Sequence, residues 1–490
     1  MKRPLWKKLL IGAVLAVILC AGIVCLVALW LIFDGWSDWR RTQEDLRKRG
    51  ELLTVGQLVP PPIPDGGNFF ADSFWEPNAE GKVALPEMTI AKAEVEQLRQ
   101  RFPAFANFVK EGNRQKTLSP LTGAGALTPE QAEFVLAVLE PTAGSLQAVE
   151  RLAIRPLARY PLDYSKGLHM EIPHLTAVLQ LSQMLAARAQ ASAAMGQTSE
   201  SVRDVLLILR LGRAMETDGV IISELTAAAC YDVALKVIEK LLPGWSDAQA
   251  AQVDAALAEI DLLPGVMTAL RMERATMNAT FDRLQGASVS GTKSMYYAAV
   301  GSKEEPRHLS ARSSFFLLAY RYGFLSSDRA FYNRCGQRSL DLLAGSSETW
   351  NPKAFAEVEK SIKAETSGFD RYRRIFSWLS VPTIVSGFPR FAFVQSRISQ
   401  ARVACAIQRY ALRHGALPDR LADLVPEEMA GEPRDLILGG PLHYRREGKE
   451  YLLWSIGWNA VDDGGEASSS ERKSTAKLDW VWKGRLPVRE

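Results

Sequence analysis

The chain has five histidines, and two of them flank a glutamate in His169-Met-Glu171-Ile-Pro173-His174. A zincin helix needs histidines four apart on one face, with the glutamate directly after the first. Here the two are five apart and Pro173 interrupts them, so these residues read as the start of a helix. A second near miss is Gly286-Ala-Ser-Val-Ser-Gly291-Thr292-Lys293-Ser294. A phosphate-binding loop needs its lysine directly after the second glycine. Thr292 stands there instead and no apolar strand precedes, which excludes a nucleotide as partner. No G-x-S-x-G elbow occurs. Arg271, Glu273, Arg274 and Asp282 share one helical stretch, but Glu273 and Arg274 are adjacent and leave the helix on different faces, so they read as a solvated charged surface. No catalytic and no cofactor-binding residue is assigned.

What would position any chemistry is clearer. Leu9 to Phe33 runs for 25 residues without a charged or amide side chain. At about 1.5 Å per residue it outspans a hydrocarbon core of about 30 Å. It is longer than a signal-peptide core and ends in Trp30-Leu-Ile-Phe33 rather than in small residues, so it reads as an uncleaved signal anchor through which residues 9–33 meet the lipid bilayer. Lys2, Arg3, Lys7 and Lys8 form a compact basic tail before it. Arg40, Arg41, Arg47, Lys48 and Arg49 follow, diluted by Asp34, Asp38, Glu44 and Asp45. The positive-inside rule weighs the short tail most, placing residues 1–8 in the cytoplasm and residues 34–490 outside.

The whole chain is 23% charged with net charge +4, an ordinary globular balance that excludes a nucleic-acid footprint. Cys20 and Cys25 lie in the apolar run, and Cys230, Cys335 and Cys405 have no C-x-x-C spacing; they read as small buried apolar residues.

Residues 34–87 begin with a charged stretch, Ser37 to Leu53, able to prolong the membrane helix, and continue as Pro60-Pro-Pro-Ile-Pro-Asp65-Gly-Gly-Asn-Phe-Phe70, a stiff extended spacer closed by a turn. Apolar residues then recur at three- and four-residue spacing over Ala91–Val109, Glu130–Leu157, Leu175–Met195, Ser199–Met215, Ile221–Leu242, Asp247–Leu262 and Val266–Leu284. After a polar stretch, Gly286–Arg307, helices are expected over Arg312–Tyr322, Ser326–Leu343, Pro352–Ser361 and Arg390–His414. The alanine-rich pair around the Gly196-Gln197 turn resembles a tetratricopeptide-type helical hairpin, although no 34-residue period recurs. The end switches period: His443 to Arg446 and Glu450 to Ser455 flank a Glu447-Gly448 turn as a β-hairpin, with Trp480 to Trp482 as a third strand.

Two resemblances follow. Tyr410 to Pro426 with its Gly415-x-x-Pro418-x-x-Leu421-x-x-Leu424 turn, then Gly440-Pro-Leu-His-Tyr444, Tyr451 to Gly457, Asp463-Gly-Gly465 and Asp479-Trp480 resemble the soluble end of the major pseudopilin of type II secretion. The resemblance covers about 85 residues and implies a helix, a small antiparallel sheet and a calcium-binding loop, whose donors here would be Asn459, Asp462, Asp463 and Asp479. The family's processing glutamate has no counterpart in Leu5 to Leu15, so the chain is not expected to be cut and polymerised as a pilin. The whole layout, anchor through C-terminal ending, is similar to a group of uncharacterised bacterial single-pass membrane proteins, which implies a bacterial origin, and with it an inner-membrane location, and adds nothing about activity.

The expected fold is therefore mainly α: a cytoplasmic tail (1–8), a transmembrane helix (9–33), a juxtamembrane helix and spacer (34–87), a helical-hairpin, solenoid-like domain (88–400) and a pseudopilin-like α+β module (401–490). The expected function is a non-enzymatic interaction or scaffold role toward a protein partner. The alternatives are a membrane-tethered hydrolase of envelope polymers, betrayed by convergent carboxylates or a Ser/His pair in a pocket, and an accessory to type II secretion or pilus-like machinery.

Overall fold

The computed structural model describes residues 5–123, 125–287, 317–346, 349–368, 370–466 and 478–487. It is mainly helical, with one long apolar N-terminal helix and a C-terminal antiparallel sheet of three strands, the fold class expected. Two units are each assembled from segments distant in sequence. The first comprises Met1–Leu58, Arg271–Leu342 and Ala354–Ser386; the second comprises Val59–Leu270, Leu343–Lys353 and Gly387–Glu490.

In the first unit a single helix, Leu5–Lys48, carries the apolar run straight into packed structure. Among the described residues it is the one helix long and apolar enough to cross a membrane, with a mean hydropathy of 3.1 over its best window. Leu10, Val17, Leu26 and Phe33 are exposed. Burial begins at Gly35, where a Cβ would stand 3.3 Å from the Ser327 nitrogen; hydrogen there lets two helices approach. Arg334 of the Leu325–Ala344 helix then donates to Asp38 at 2.9 Å and to the Thr42 hydroxyl at 3.0 Å, and Leu46 is core. The helix stops at Gly50, whose φ of +76° is cheap only for glycine. Its closing bonds run from Gly50 N–H to the Arg47 carbonyl and from Glu51 N–H to the Leu46 carbonyl, both 3.0 Å.

Directly after that turn, Glu51 is held by two guanidiniums of the Leu262–Gly286 helix. Arg271 Nε donates to it at 3.1 Å, and Arg274, only 1% exposed, reaches it while donating to Gln337 at 2.9 Å. Asn278 and Asn333 exchange side-chain amide bonds alongside. The expected solvated charged face is thus corrected: Arg274 is buried, because its carboxylate partner arrives from 223 residues away.

The second unit centres on helices Leu175–Ala194, Thr198–Glu216 and Ile221–Leu241, which follow one another by short turns. Gly196 makes the first turn with φ +78°, as its position before Gln197 implied. Gly212 and Tyr231 show how closely the second and third helices meet, since a Cβ on Gly212 would lie 2.5 Å from the Tyr231 ring. The three-stranded sheet (His443–Glu447, Glu450–Ser455, Trp480–Arg485) lies against the Phe388–His414 helix, where Arg397 donates to the Val481 carbonyl at 2.7 Å and Gln400 to that of Trp480. Gly484 faces Tyr451 across the strands, and any side chain there would occupy the phenol's place.

Prolines account for the main departures. The stretch expected as one helix over Glu130–Leu157 breaks into Pro129–Leu139 and Ala143–Ala153 at Pro141, which lacks the N–H a continuous helix needs. The stretch expected over Ala91–Val109 ends at Arg101, ahead of Pro103, where Phe102 takes φ −130° and ψ 70°. The proline-rich segment does more than space. Phe69, Phe70 and Trp75 behind it are core, packed ring to ring at about 5 Å with Tyr160 beyond. Cys230, Cys335 and Cys405 are free and buried. The near phosphate loop from Ser288 on, most of the Gly286–Arg307 stretch, Arg312 to Phe316 and part of the acidic C-terminal loop (467–477) lie outside the described residues.

Breaking one side of the Glu51 clasp leaves a buried charge without its partner, which typically costs about 3–5 kcal/mol. Glu51→Ala, which leaves the buried Arg274 guanidinium without a carboxylate, is expected to lower the urea midpoint of the detergent-solubilised protein accordingly. Lys48→Ala, which removes an exposed ammonium paired with Glu44 of its own helix, is expected to leave it in place.

Candidate functional site

The four residues implied as calcium donors come together at the strand ends. Asn459 Nδ2 donates to Asp463 at 2.8 Å. Asp479, 2% exposed, accepts the Asp463 and Gly465 N–H groups on one oxygen at 3.0 and 2.8 Å. Asp462 accepts the Trp454 indole and the Gly464 N–H, both 2.9 Å. Burial pushes the Asp479 carboxyl up, those N–H groups pull it down, and the neighbouring Asp462 and Asp463 charges add to the rise. Asp479 Oδ1 is buried with no hydrogen-bond partner, an acceptor that a cation would satisfy. Yet among the described residues no three His, Cys, Asp or Glu side chains form a metal-holding group, so backbone carbonyls would have to complete any calcium shell.

A second polar cluster lies inside the second unit and was not expected. His174 stands at the start of the Leu175–Ala194 helix, as its sequence setting suggested, but it points inward. Its Nε2 lies 3.0 Å from Asp218 Oδ2, and the Ser223 hydroxyl donates to the same oxygen at 2.7 Å. The imidazole stacks on Tyr160 with centroids 4.0 Å apart. Ser, His and Asp are all fully buried, and the aspartate sits between the other two. The serine hydroxyl donates to the carboxylate rather than to the imidazole, so the Ser-to-His-to-Asp order of a triad is not formed here, and the described cavities reach none of the three. This is a fastening of the 217–220 turn to the start of the Leu175–Ala194 helix and to the first turn of the Ile221–Leu241 helix, not a catalytic triad.

Glu224 lies next to this fastening, fully buried, with both carboxyl oxygens unpartnered and pressed against Gly265, where a Cβ would stand 2.7 Å away. Burial first, then the nearby Glu216 and Asp218, push its pKa up to about 9. It is a neutral acid at pH 7. Glu216, raised by burial to about 7, accepts the Tyr231 hydroxyl.

The open site is in the first unit. A cavity of about 720 Å³ is walled by the outer part of the N-terminal helix (Trp36, Trp39, Arg40, Arg47), by Glu51, and by Asp282 and Arg329 opposite. A more apolar groove of about 520 Å³ adjoins it, sharing Trp36, Gln285, Leu325 and Ser326 and continuing down to Leu29, Ile32 and Phe33. On the helix these wall residues recur at positions 29, 32, 33, 36, 39, 40, 43 and 47, a three- and four-residue spacing that makes one stripe. The opposite wall includes a π-helical turn, Tyr320–Phe324, an irregularity common where a helix serves a site. Arg329 is committed, donating to Asp282 and to Asn278 and lying 4.1 Å over the Trp39 ring. Glu51 stays charged: burial would raise its pKa, but the Arg271 and Arg274 hydrogen bonds and charges outweigh that and hold it low.

Comparison with protein families, with curated proteins and with solved structures finds no match to this chain. Its site therefore rests on geometry alone. Sequence reasoning assigned no residue to this cavity. The available signal was the stripe itself, apolar to Phe33, aromatic at Trp36 and Trp39, then basic at Arg40 and Arg47.

The buried acid gives a pH test. Glu224 titrates near its ordinary 4.5 when unfolded and near about 9 when folded, so unfolding releases a proton between those values. Its contribution to stability is complete below the lower value and is lost progressively as pH rises to the higher. Glu224→Gln keeps the shape without the ionisation. Its urea midpoint is expected to gain on the wild type steadily from pH 5 to pH 9; parallel curves would show that Glu224 ionises freely in the fold.

Proposed function

We propose that the chain is a membrane-anchored protein of the bacterial envelope that performs no reaction of its own and serves as an interaction or scaffold protein. Its N-terminus lies in the cytoplasm and residues 34–490 on the outer side of the inner membrane. The observation that carries this is the uninterrupted Leu5–Lys48 helix, whose exposed apolar part runs directly into packed residues Gly35, Thr42 and Leu46. Such continuity suits an anchor that stays attached and fixes the body at the bilayer surface. The basic tail at Lys2, Arg3, Lys7 and Lys8 supports the orientation. The hydrolase alternative receives no support from the buried Ser223, whose hydrogen bond goes to Asp218.

Fusion of alkaline phosphatase after Glu490 tests orientation, since that enzyme matures only outside the cytoplasm: an active fusion is expected, and an inactive but intact one reverses the topology. Crosslinking in living cells followed by solubilisation is expected to recover the same protein partner repeatedly. Consistent recovery of none would remove the scaffold reading.

A second reading, an accessory to secretion or pilus-like machinery, is favoured by one feature. A long helix, Phe388–His414, precedes a three-stranded antiparallel sheet with an acidic glycine-containing loop, the order the pseudopilin resemblance implies. Under this reading calcium fills the place facing Asp479 Oδ1. Calcium is then expected to raise the melting temperature of the full chain and a chelator to lower it, with Asp479→Asn abolishing the difference. Identical curves in calcium and chelator would end the calcium assignment.

A further inference from the structure

We propose that the cavity and groove of the first unit form a binding site for one anionic phospholipid, with the phosphate at the arginine-lined end and an acyl chain along the groove. The proposal rests on the anchor reading above, because only a bilayer brings lipid to this height.

The wall stripe has the polarity profile of a lipid. Leu29, Ile32 and Phe33 line the lower groove, Trp36 joins the two spaces, and Arg40 and Arg47 line the upper cavity. Arg40 lies seven positions after Phe33, about 10 Å along the helix, so hydrocarbon and charge are set apart as a chain and its phosphate are. Tryptophans at the border match the headgroup level of a membrane.

The charge balance selects the sign of the ligand. Both carboxylates in the cavity wall are already paired: Asp282 with Arg329, and Glu51 with Arg271 and Arg274. Among the described residues neither Arg40 nor Arg47 has a carboxylate within ion-pair distance; Arg40 instead lies 4.6 Å over Trp36. Arg321, which lines the groove beside Tyr322, also keeps a buried Nε–H with no acceptor. Guanidiniums without carboxylates, beside an apolar channel that opens at bilayer height, match a phosphate diester carrying a hydrocarbon chain.

The experiment uses the full chain reconstituted in nanodiscs of equal phosphatidylglycerol and phosphatidylcholine, with native mass spectrometry counting the lipid retained on release. The wild type is expected to retain phosphatidylglycerol over phosphatidylcholine by about tenfold, a preference that narrows as salt is raised. Arg40→Gln combined with Arg47→Gln, at two exposed positions, is expected to bring the ratio near one, while Lys48→Gln, outside the groove, keeps it. Equal retention by the wild type, or an unchanged preference in the double variant, overturns the proposal. So does displacement of the lipid by soluble glycerol phosphate at equal concentration, which would assign the cavity to a free anion. Carbonate extraction of cell membranes reports the anchor separately: a protein that is extracted refutes the anchor reading, and one that stays but shows no lipid preference refutes this proposal alone.

Discussion

The clasp on Glu51 is the interaction on which the first unit depends. A membrane helix alone can turn about its axis, and a stripe on it faces nothing in particular. Here the helix ends in a glycine turn, and the next residue is seized by Arg271 and Arg274 while Arg334 grips Asp38 and Thr42 about two and a half to three and a half turns earlier. Contacts at two heights fix the rotation. Burying a guanidinium as deeply as that of Arg274 is unfavourable by several kcal/mol unless its donors are used. Glu51, Gln337 and the Leu52 carbonyl engage both terminal nitrogens, and only the Nε–H is left without an acceptor. The cavity has a defined wall because this turn cannot swing.

Much of the scaffold was legible in the sequence, and the reason is local. Helices such as Thr198–Glu216 and Leu325–Ala344 declare themselves by spacing, and Thr128 and Ser246 cap theirs with the glutamine three residues on. The hairpin follows from alternation around Gly448, whose φ is +65°. Helix Arg114–Thr122 escaped notice because it is short, has an internal Pro120 and buries an arginine, three features that each argue against a helix when read locally.

The sites were not legible because their partners are remote. Arg271 and Arg274 look like surface until Glu51 is placed beside them, and His174 looks like a helix start until Asp218 appears 44 residues later. Polar residues that are core in the fold look the same in the sequence as polar residues in water. The proline-rich segment shows the converse. Its prolines correctly predict extended backbone, but its placement depends on Asn68, whose side chain bonds the backbone of Arg159 in both directions at 2.8 Å and so delivers Phe69 and Phe70 to the core.

Glu224 and the two carboxylates of the cavity wall are kept in opposite ways, and the difference separates packing from recognition. In the second unit Glu224 lies without a cation and becomes a neutral acid, so it adds no field and serves the interior only. In the first unit each wall carboxylate is kept ionised or paired by arginine, and the arginines outnumber them. Pairing neutralises the carboxylates without removing the surplus. What is left over at the helix stripe is positive charge from Arg40 and Arg47, held above a hydrophobic channel by a helix that cannot rotate. A surplus of that kind adds nothing to folding, since an unpaired surface arginine stabilises little. Its value is to whatever brings the missing anion.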